Sequence, residues 1–298
     1  MIDPRALKIF LAVCRANSIS GGARLLNISQ PSVSSAIAQF EHAIGAPLFE
    51  RSRTGISLTA EGEVLLRRAE ALELLLLDAE EELRLSRNGL SGPLRVGGTP
   101  GALVSLLPDA IRSLEDKAGR FALTVVERPD SDLTDMLRKG ELELAFVTTG
   151  LEPPPDDMEE RTVSRDPFAL IVGRQNDHLP SEISLKDVIP ARWVLPEAHG
   201  AFHRQVDALF LSVDVPGPQD IIRCDSLLTT KAIVRVSDRV TILPVKVASA
   251  ELSIGVLRAI PIKEAQFPRS IGIRKLRDAR LSRPAQALLD ILIHSSSL

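Results

Sequence analysis

Ser29-Gln30-Pro31-Ser32-Val33-Ser34-Ser35-Ala36-Ile37-Ala38-Gln39-Phe40 is the stretch on which the fold of this 298-residue chain turns. Ser29 can accept hydrogen bonds from the free N–H groups of a first helical turn, and Pro31 sits where no internal bond is required. Val33, Ile37, Phe40 and then Ile44 recur at spacings of three and four, so a helix here buries one stripe. At about 100° per residue, Pro31, Ser35, Ala38 and His42 fall opposite that stripe, with Ser34 and Gln39 alongside. None of the six is acidic. Such short and polar side chains allow close approach to a major groove, where Ser and Gln can bond base edges. An ordinary solvated face has the same composition, so the pattern alone leaves both readings open.

Two short helices precede this one. Leu7, Phe10, Leu11 and Cys14 share a face from Pro4 to Ala16; Ser20 is placed to cap a second helix through Ala23, Leu25 and Leu26, which Asn27-Ile28-Ser29 ends. Three helices so closely linked predict a helix-turn-helix. After it, Leu48-Phe49-Glu50-Arg51 and Ile56-Ser57-Leu58 read as strands around Ser52-Arg53-Thr54-Gly55, a β-wing whose Arg53 suits a phosphate or minor groove, or is a solvated loop arginine.

Thr59 then opens a helix to about Asn88-Gly89, roughly 45 Å at the standard rise. Leu65, Ala69, Leu72, Leu76, Ala79 and Leu83 alternate spacings of four and three, a heptad that asks for a partner helix; Leu74, Leu75 and Leu77 widen the apolar surface. Packing on its own domain is the alternative, and self-association through residues 59–89 is the reading taken. Ser91-Gly92-Pro93 marks a hinge, beyond which β-rich runs alternate with helical ones. Strands are predicted at 94–96, 122–126, 142–147, 169–172, 193–195, 221–223, 240–243 and 270–273, and helices at 103–116, 133–139, 202–211, 227–236 and 284–294. The alternation predicts two packed α/β units with a crevice at the strand ends. In it, Gly97-Gly98-Thr99-Pro100-Gly101 offers backbone N–H groups and a hydroxyl at a helix start, an anion site rather than a phosphate loop.

Charge follows the same division. The net charge is −3, yet residues 1–58 carry +3, residues 59–89 carry −4 and the remainder −2. Only the N-terminal piece is basic, as a nucleic-acid contact requires. No apolar run reaches bilayer-spanning length, and Met1-Ile2-Asp3-Pro4 does not begin a secretory signal, so the predicted location is the cytoplasm, with no membrane partner. Cys14 and Cys224 match neither a disulfide framework nor a metal spacing and read as small core residues.

Taken together, Leu7-Lys8-Ile9-Phe10, Ala23-Arg24-Leu25-Leu26, Ile28-Ser29-Gln30-Pro31-Ser32-Val33-Ser34, Gly45-Ala46-Pro47-Leu48-Phe49-Glu50-Arg51 and Leu58-Thr59-Ala60-Glu61-Gly62 stand in an order and spacing that resemble the LysR-type transcriptional regulator family, over essentially the whole chain. The resemblance implies an α plus α/β fold: an N-terminal winged helix-turn-helix (1–58), a linker and dimerisation helix (59–89), and a C-terminal two-subdomain α/β effector domain (90–298) resembling periplasmic binding proteins. Subdomain I is placed at about 90–163 with 266–298, and subdomain II at about 164–265. It implies sequence-specific contacts to double-stranded promoter DNA from Gln30, Pro31, Ser32, Ser34, Ser35, Gln39, Arg51 and Arg53, and a small-molecule effector, an organic acid by our reading, held by Thr99, Pro100, Arg128, Ser131, Thr148, His199, Phe202 and Ser226. A homodimer, a homotetramer and contact with RNA polymerase are the implied assemblies. Three departures stand out. Ser35 occupies a place where relatives commonly have Arg, Gly21-Gly22 replaces a stretch usually containing Ala at about 1 kcal/mol each, and Val236 to Pro244 lacks the usual Gly-containing turn.

The competing reading is a cytoplasmic α/β enzyme with an accessory DNA-binding domain. Its chemistry is missing from the sequence: there is no Gly-x-Ser-x-Gly elbow, no His-Glu-x-x-His, no Cys/His cluster and no glycine fingerprint in context. His199 and His203 are four apart, but Gly200 stands where a zincin has its glutamate and no third ligand is evident, so we predict no metal and no cofactor. A solute-binding protein would leave the basic N-terminus without purpose, and an architectural DNA protein would not need the α/β half.

Overall fold

The structure is a computed structural model and describes residues 2–52, 55–197, 200–213, 217–265 and 267–295. The chain divides into two compact units, one up to Leu83 with Lys139–Glu141, the other Arg84–Arg138 with the chain from Leu142.

In the first unit, α1 (Pro4–Ala16) starts at Asp3, which accepts from the Arg5 N–H, and ends at Asn17 in the left-handed region. The second helix, α2 (Ile19–Leu26), is capped by Ser18, which accepts from the Gly21 N–H at 3.0 Å; the predicted cap, Ser20, lies inside the helix. Ser18 wins because its extended backbone leaves its hydroxyl facing the first turn. Gly21 and Gly22 are buried where this helix meets α1. A Cβ on Gly22 would stand 2.8 Å from Val13 Cγ2, and one on Gly21 2.7 Å from Ala16 Cβ, so close packing offsets the poor helix propensity of glycine. Next comes α3 (Gln30–Ile44), with Ser29 accepting from the Ser32 N–H and Gly45 ending it at φ 81°. Val33, Ile37 and Phe40 are buried and Ile44 half-buried. Phe10 centres the domain, its ring 5.3 Å from that of Phe49 and 6.5 Å from that of Phe40.

The wing is β1 (Phe49–Ser52) antiparallel to β2 (Gly55–Leu58). Thr59 then caps α4 (Ala60–Arg87), its hydroxyl accepting from the Gly62 N–H at 3.0 Å and donating to the Pro47 carbonyl at 2.7 Å. Gly62 is required here, since a Cβ would lie 2.2 Å from the Leu48 carbonyl oxygen. The first two heptad positions serve the same domain: Ala69 is buried in its core and Leu65 packs against it. Farther along, Leu72, Leu75, Leu76, Leu77 and Leu83 are exposed in the single chain.

The second unit carries two five-stranded sheets. In chain order the elements are β3 (Ser91–Gly98), α5 (Pro100–Ala118), β4 (Phe121–Glu127), α6 (Asp130–Lys139), β5 (Leu144–Thr148), β6 (Met158–Asp166), β7 (Phe168–Val172), α7 (Leu185–Val188), β8 (Trp193–Leu195), α8 (Gly200–Ser212), β9 (Ile221–Arg223), α9 (Leu227–Val236), β10 (Val240–Pro244), α10 (Ser249–Ser253), β11 (Arg258–Pro261), β12 (Arg269–Leu276) and α11 (Arg283–Ser295). One sheet has the order β4-β3-β5-β12-β6, with β3 parallel to both neighbours and β12 antiparallel to both of its own; the other has the order β11-β7-β10-β8-β9. Each sheet has its own core. Leu94, Val96, Leu106, Leu114, Phe146, Ile271, Leu288 and Leu292 fill the first, and Phe168, Leu170, Trp193, Leu209, Ile242 and Ile260 the second.

Two strands were not predicted. The strand β6 is highly charged and is held by β12 through Glu160 to Arg274 and Glu159 to Lys275 pairs; β11 is four residues ending in proline. The Gly-free loop after α9 is closed by side chains instead: Ser237 Oγ donates to the Ile233 carbonyl at 2.7 Å, and Arg239 pairs with Asp220 at 2.9 Å. Among the described residues no helix is long and apolar enough to cross a membrane.

Candidate nucleic-acid interface and ligand cleft

The outward face of α3 is bare. Gln30, Pro31, Ser32, Ser35, Ala38, Gln39 and His42 are exposed, while Ser34 is half-buried. The single acid of this helix, Glu41, is turned away: its Oε1 accepts the N–H groups of Leu48 at 2.8 Å and Phe49 at 3.2 Å, which ties helix to wing. A negative charge is thereby kept from the face that would meet phosphates. The Ser29 and Ser32 hydroxyls lie 2.7 Å apart at the helix start, and one turn on Gln39 Nε2 donates to Ser35 Oγ at 3.5 Å. Arg51 pairs with Ile56 in the wing ladder; Arg53 lies outside the described residues.

In the α/β half, a cavity of about 760 Å³ is lined from the first sheet by Thr99, Pro100, Arg128, Ser131 and Thr148, and from the second by Phe202, all six predicted. Phe202 stacks on Phe168 with ring centroids 6.3 Å apart. Ser226 is absent from this lining although Asp225 and Leu227 belong to it; its hydroxyl caps α9, accepting from the Thr229 N–H at 3.2 Å. His199 lies outside the described residues. His203 pairs with Asp207 at 2.8 Å.

Gly97 and Gly98 lie in β3, where a Cβ would run into Leu142 and Leu103 respectively, so they serve packing. Thr99 caps with its backbone only: its carbonyl accepts from Ala102 and Leu103 at 3.0 Å each, while its hydroxyl is buried and makes no hydrogen bond. Arg128, which lines the cavity, donates from Nη1 to the Glu127 carbonyl at 2.8 Å.

Sequence reasoning missed Arg269. It begins β12, is only 3% exposed, and donates from Nε and Nη2 to Thr148 Oγ1 at 3.1 and 2.8 Å. Burial pushes its guanidinium down to about 10, against a smaller upward pull from Asp166. A signal for it existed, because residues 269, 271 and 273 share one face of a strand and Ile271 and Ile273 are core residues. A shallower hollow of about 420 Å³ is lined by Thr149 to Pro154, Glu160 and Thr162, with no base among them.

One half of the molecule thus presents a short helix suited to a DNA groove, and the other encloses a space sized for a metabolite, which together define a ligand-responsive DNA-binding regulator. Comparison with known proteins agrees. The bacterial regulatory helix-turn-helix protein, lysR family, matches residues 4–63, and the LysR substrate binding domain matches residues 87–296. The chain belongs to the LysR family of transcriptional regulators. It is 28% identical over 293 residues to the HTH-type transcriptional regulator GalR of Pseudomonas putida, covering 97% of this chain and 72% of that one. To PcaQ of Agrobacterium fabrum it is 26% identical over 298 residues, covering 98% and 96%. Its fold is shared by full-length CbnR complexed with its target DNA (TM-score 0.67, 20% identity, 98% and 99% covered) and by a full-length OxyR variant from Pseudomonas aeruginosa (TM-score 0.66, 22% identity, 100% and 95% covered).

Proposed function

We propose that this regulator reads promoter DNA with the exposed face of α3, through Gln30, Pro31, Ser32, Ser34, Ser35 and Gln39, with Arg51 and Arg53 on the wing. The observation that carries the reading is the acid-free, small-residue surface of that helix, with Glu41 engaged elsewhere. Its functional parts are residues 1–58 for DNA, 59–89 for self-association and 90–298 for the effector, with the second sheet inserted in the first at about 164–265. The exposed leucines of α4, from Leu72 to Leu83, pair with those of a second copy, because a stripe of that size is costly to leave in water. Two such dimers form the tetramer, which meets RNA polymerase at the promoter.

The cavity holds a small-molecule effector against Thr99, Pro100, Arg128, Ser131, Thr148 and Phe202. Binding acts by preferring one subdomain arrangement; an effector with equal affinity for all arrangements would change nothing. The protein works in the cytoplasm and catalyses no reaction. Genome-wide mapping of bound sites tests the function: discrete promoter peaks that vanish when α3 is altered support it, whereas uniform or absent occupancy contradicts it.

A further inference from the structure

Arg269 is a buried cation whose cross-strand partner, Asp166, answers its charge only from beyond ion-pair distance. Among the described residues no carboxylate comes within 4.0 Å of it, and two of its N–H groups share one neutral acceptor, Thr148 Oγ1. Asp166, whose charge it feels, has both oxygens on the Lys246 N–H, at 3.0 and 3.2 Å. Stripping a guanidinium of water is costly unless an anion or other acceptors replace the water. Three neighbouring features point the same way. The Arg269 Nη1 lies so near Gly101, in the first turn of α5, that a Cβ there would be 2.4 Å from it. That turn carries the positive end of the helix, and since Pro100 has no N–H and those of Ala102 and Leu103 donate to the Thr99 carbonyl, its free donor is the Gly101 N–H. The Thr99 hydroxyl, at the same helix start, is buried with no partner.

Besides Glu127 and Arg128, which flank the first turn of α6, the other charges on the cavity wall are engaged. Arg204 pairs with Glu152 at 3.1 Å, Asp130 with Arg274 at 3.0 Å, and Asp225 accepts from the Glu197 N–H at 2.8 Å. The lining also carries apolar Pro100, Leu243, Pro244 and Val247, with Thr230 and Thr241 among them.

We propose that Arg269, with the Thr99 hydroxyl and the first turn of α5, is the hook for a carboxylate group of the effector, whose apolar body lies over Leu243, Val247 and Phe202. The assignment rests on the reading of this cavity as the effector site and names the residue that selects the ligand class there. A planar guanidinium fork matches a carboxylate in shape as well as charge, whereas an amide of the same outline supplies no charge.

The test uses the full chain and a panel of aromatic and aliphatic carboxylates, each matched by its primary amide, read by thermal unfolding and calorimetry. Promoter binding is followed in the same titrations. We expect particular carboxylates to stabilise the protein and to bind at least about tenfold more tightly than their amides. Arg269→Met should abolish that preference, and Arg269→Lys, which keeps charge but not the fork, should retain a part of it. Thr99→Val, milder for folding, should weaken the same ligands. Amides binding as well as acids would overturn the hook and leave the effector cavity standing, as would carboxylate binding that survives in both Arg269 variants. Silence from every compound, in stability and in promoter binding, would overturn hook and cavity alike.

Discussion

Glu41 Oε1 lies 2.8 Å from the backbone nitrogen of Leu48, so the helix that faces outward and the wing beside it are held by one carboxylate. The same oxygen accepts from Phe49, and the arrangement both orients the wing and hides the one negative charge of α3. Glu41→Ala leaves two backbone donors unpaired and should cost about 1–3 kcal/mol of domain stability. Glu41→Gln keeps an acceptor and should cost less. Denaturant unfolding of the two variants checks the order.

Gly22→Ala should destabilise the N-terminal unit although alanine is the better helix former. The gain in propensity is about 1 kcal/mol, while forcing a methyl against Val13 costs about 1–3 kcal/mol. A raised unfolding midpoint for this variant would show that the α1–α2 contact yields more easily than its geometry implies.

Effector response and DNA affinity should separate. Thr99→Val removes the unpartnered hydroxyl of the cavity and should reduce the ligand-dependent change in promoter binding, leaving basal affinity within about twofold. Ser34→Ala should weaken promoter binding by about 1 kcal/mol and leave ligand binding unchanged. Titrations of each variant with ligand and with DNA compare the two.

Stability of the second unit should carry an acid-side signature from Glu264. Burial pushes its carboxyl up, but hydrogen bonds from Ser184 Oγ and from the Leu185 N–H, at 2.9 Å, hold it below its ordinary value of 4.5. A depressed folded value means that this contribution is fully present above the unfolded value and is lost as pH falls through the folded one. Glu264→Gln should therefore cost about 1 kcal/mol near neutrality, with the difference from the parent shrinking as pH falls below the ordinary 4.5 and through the depressed folded value. Unfolding curves across pH would contradict this if the gap stayed constant.

Cys14 should be inert in the folded protein. Burial, with the nearby Glu70 charge, pushes its thiol up to about 11, so almost none is thiolate at neutral pH. Mass spectrometry after brief alkylation should find it unmodified in native protein and modified after unfolding.

The N-terminal half was legible in sequence because its signals are local. Asn27, Ser29, Pro31 and Gly45 mark helix ends within a few residues of one another, and Val33, Ile37 and Phe40 give the buried face directly. The cap at Ser18 was missed because two serines two residues apart offer the same chemistry, and only backbone conformation chooses between them. The strand β6 escaped because Glu159, Glu160, Arg161 and Arg165 read as solvated chain; their strand partners lie in β12, over a hundred residues away. Arg269 escaped because its acceptor, Thr148, is 121 residues distant, and the one local sign, a strand face shared with Ile271 and Ile273, runs against the exposure usual for an arginine. Of the residues that the family resemblance implies for the cleft, Thr99 and Phe202 line the cavity, whereas Ser226 caps α9 beside it.

The most direct measurement of the central claim is fluorescence anisotropy of the purified chain on the DNA upstream of its own gene and on random duplex, at several stated salt concentrations. A α3 that reads bases predicts tighter binding to the native fragment at every salt level, with Gln30→Ala and Ser34→Ala closing the gap. Equal affinity for the two duplexes, or a preference untouched by both substitutions, would contradict the account.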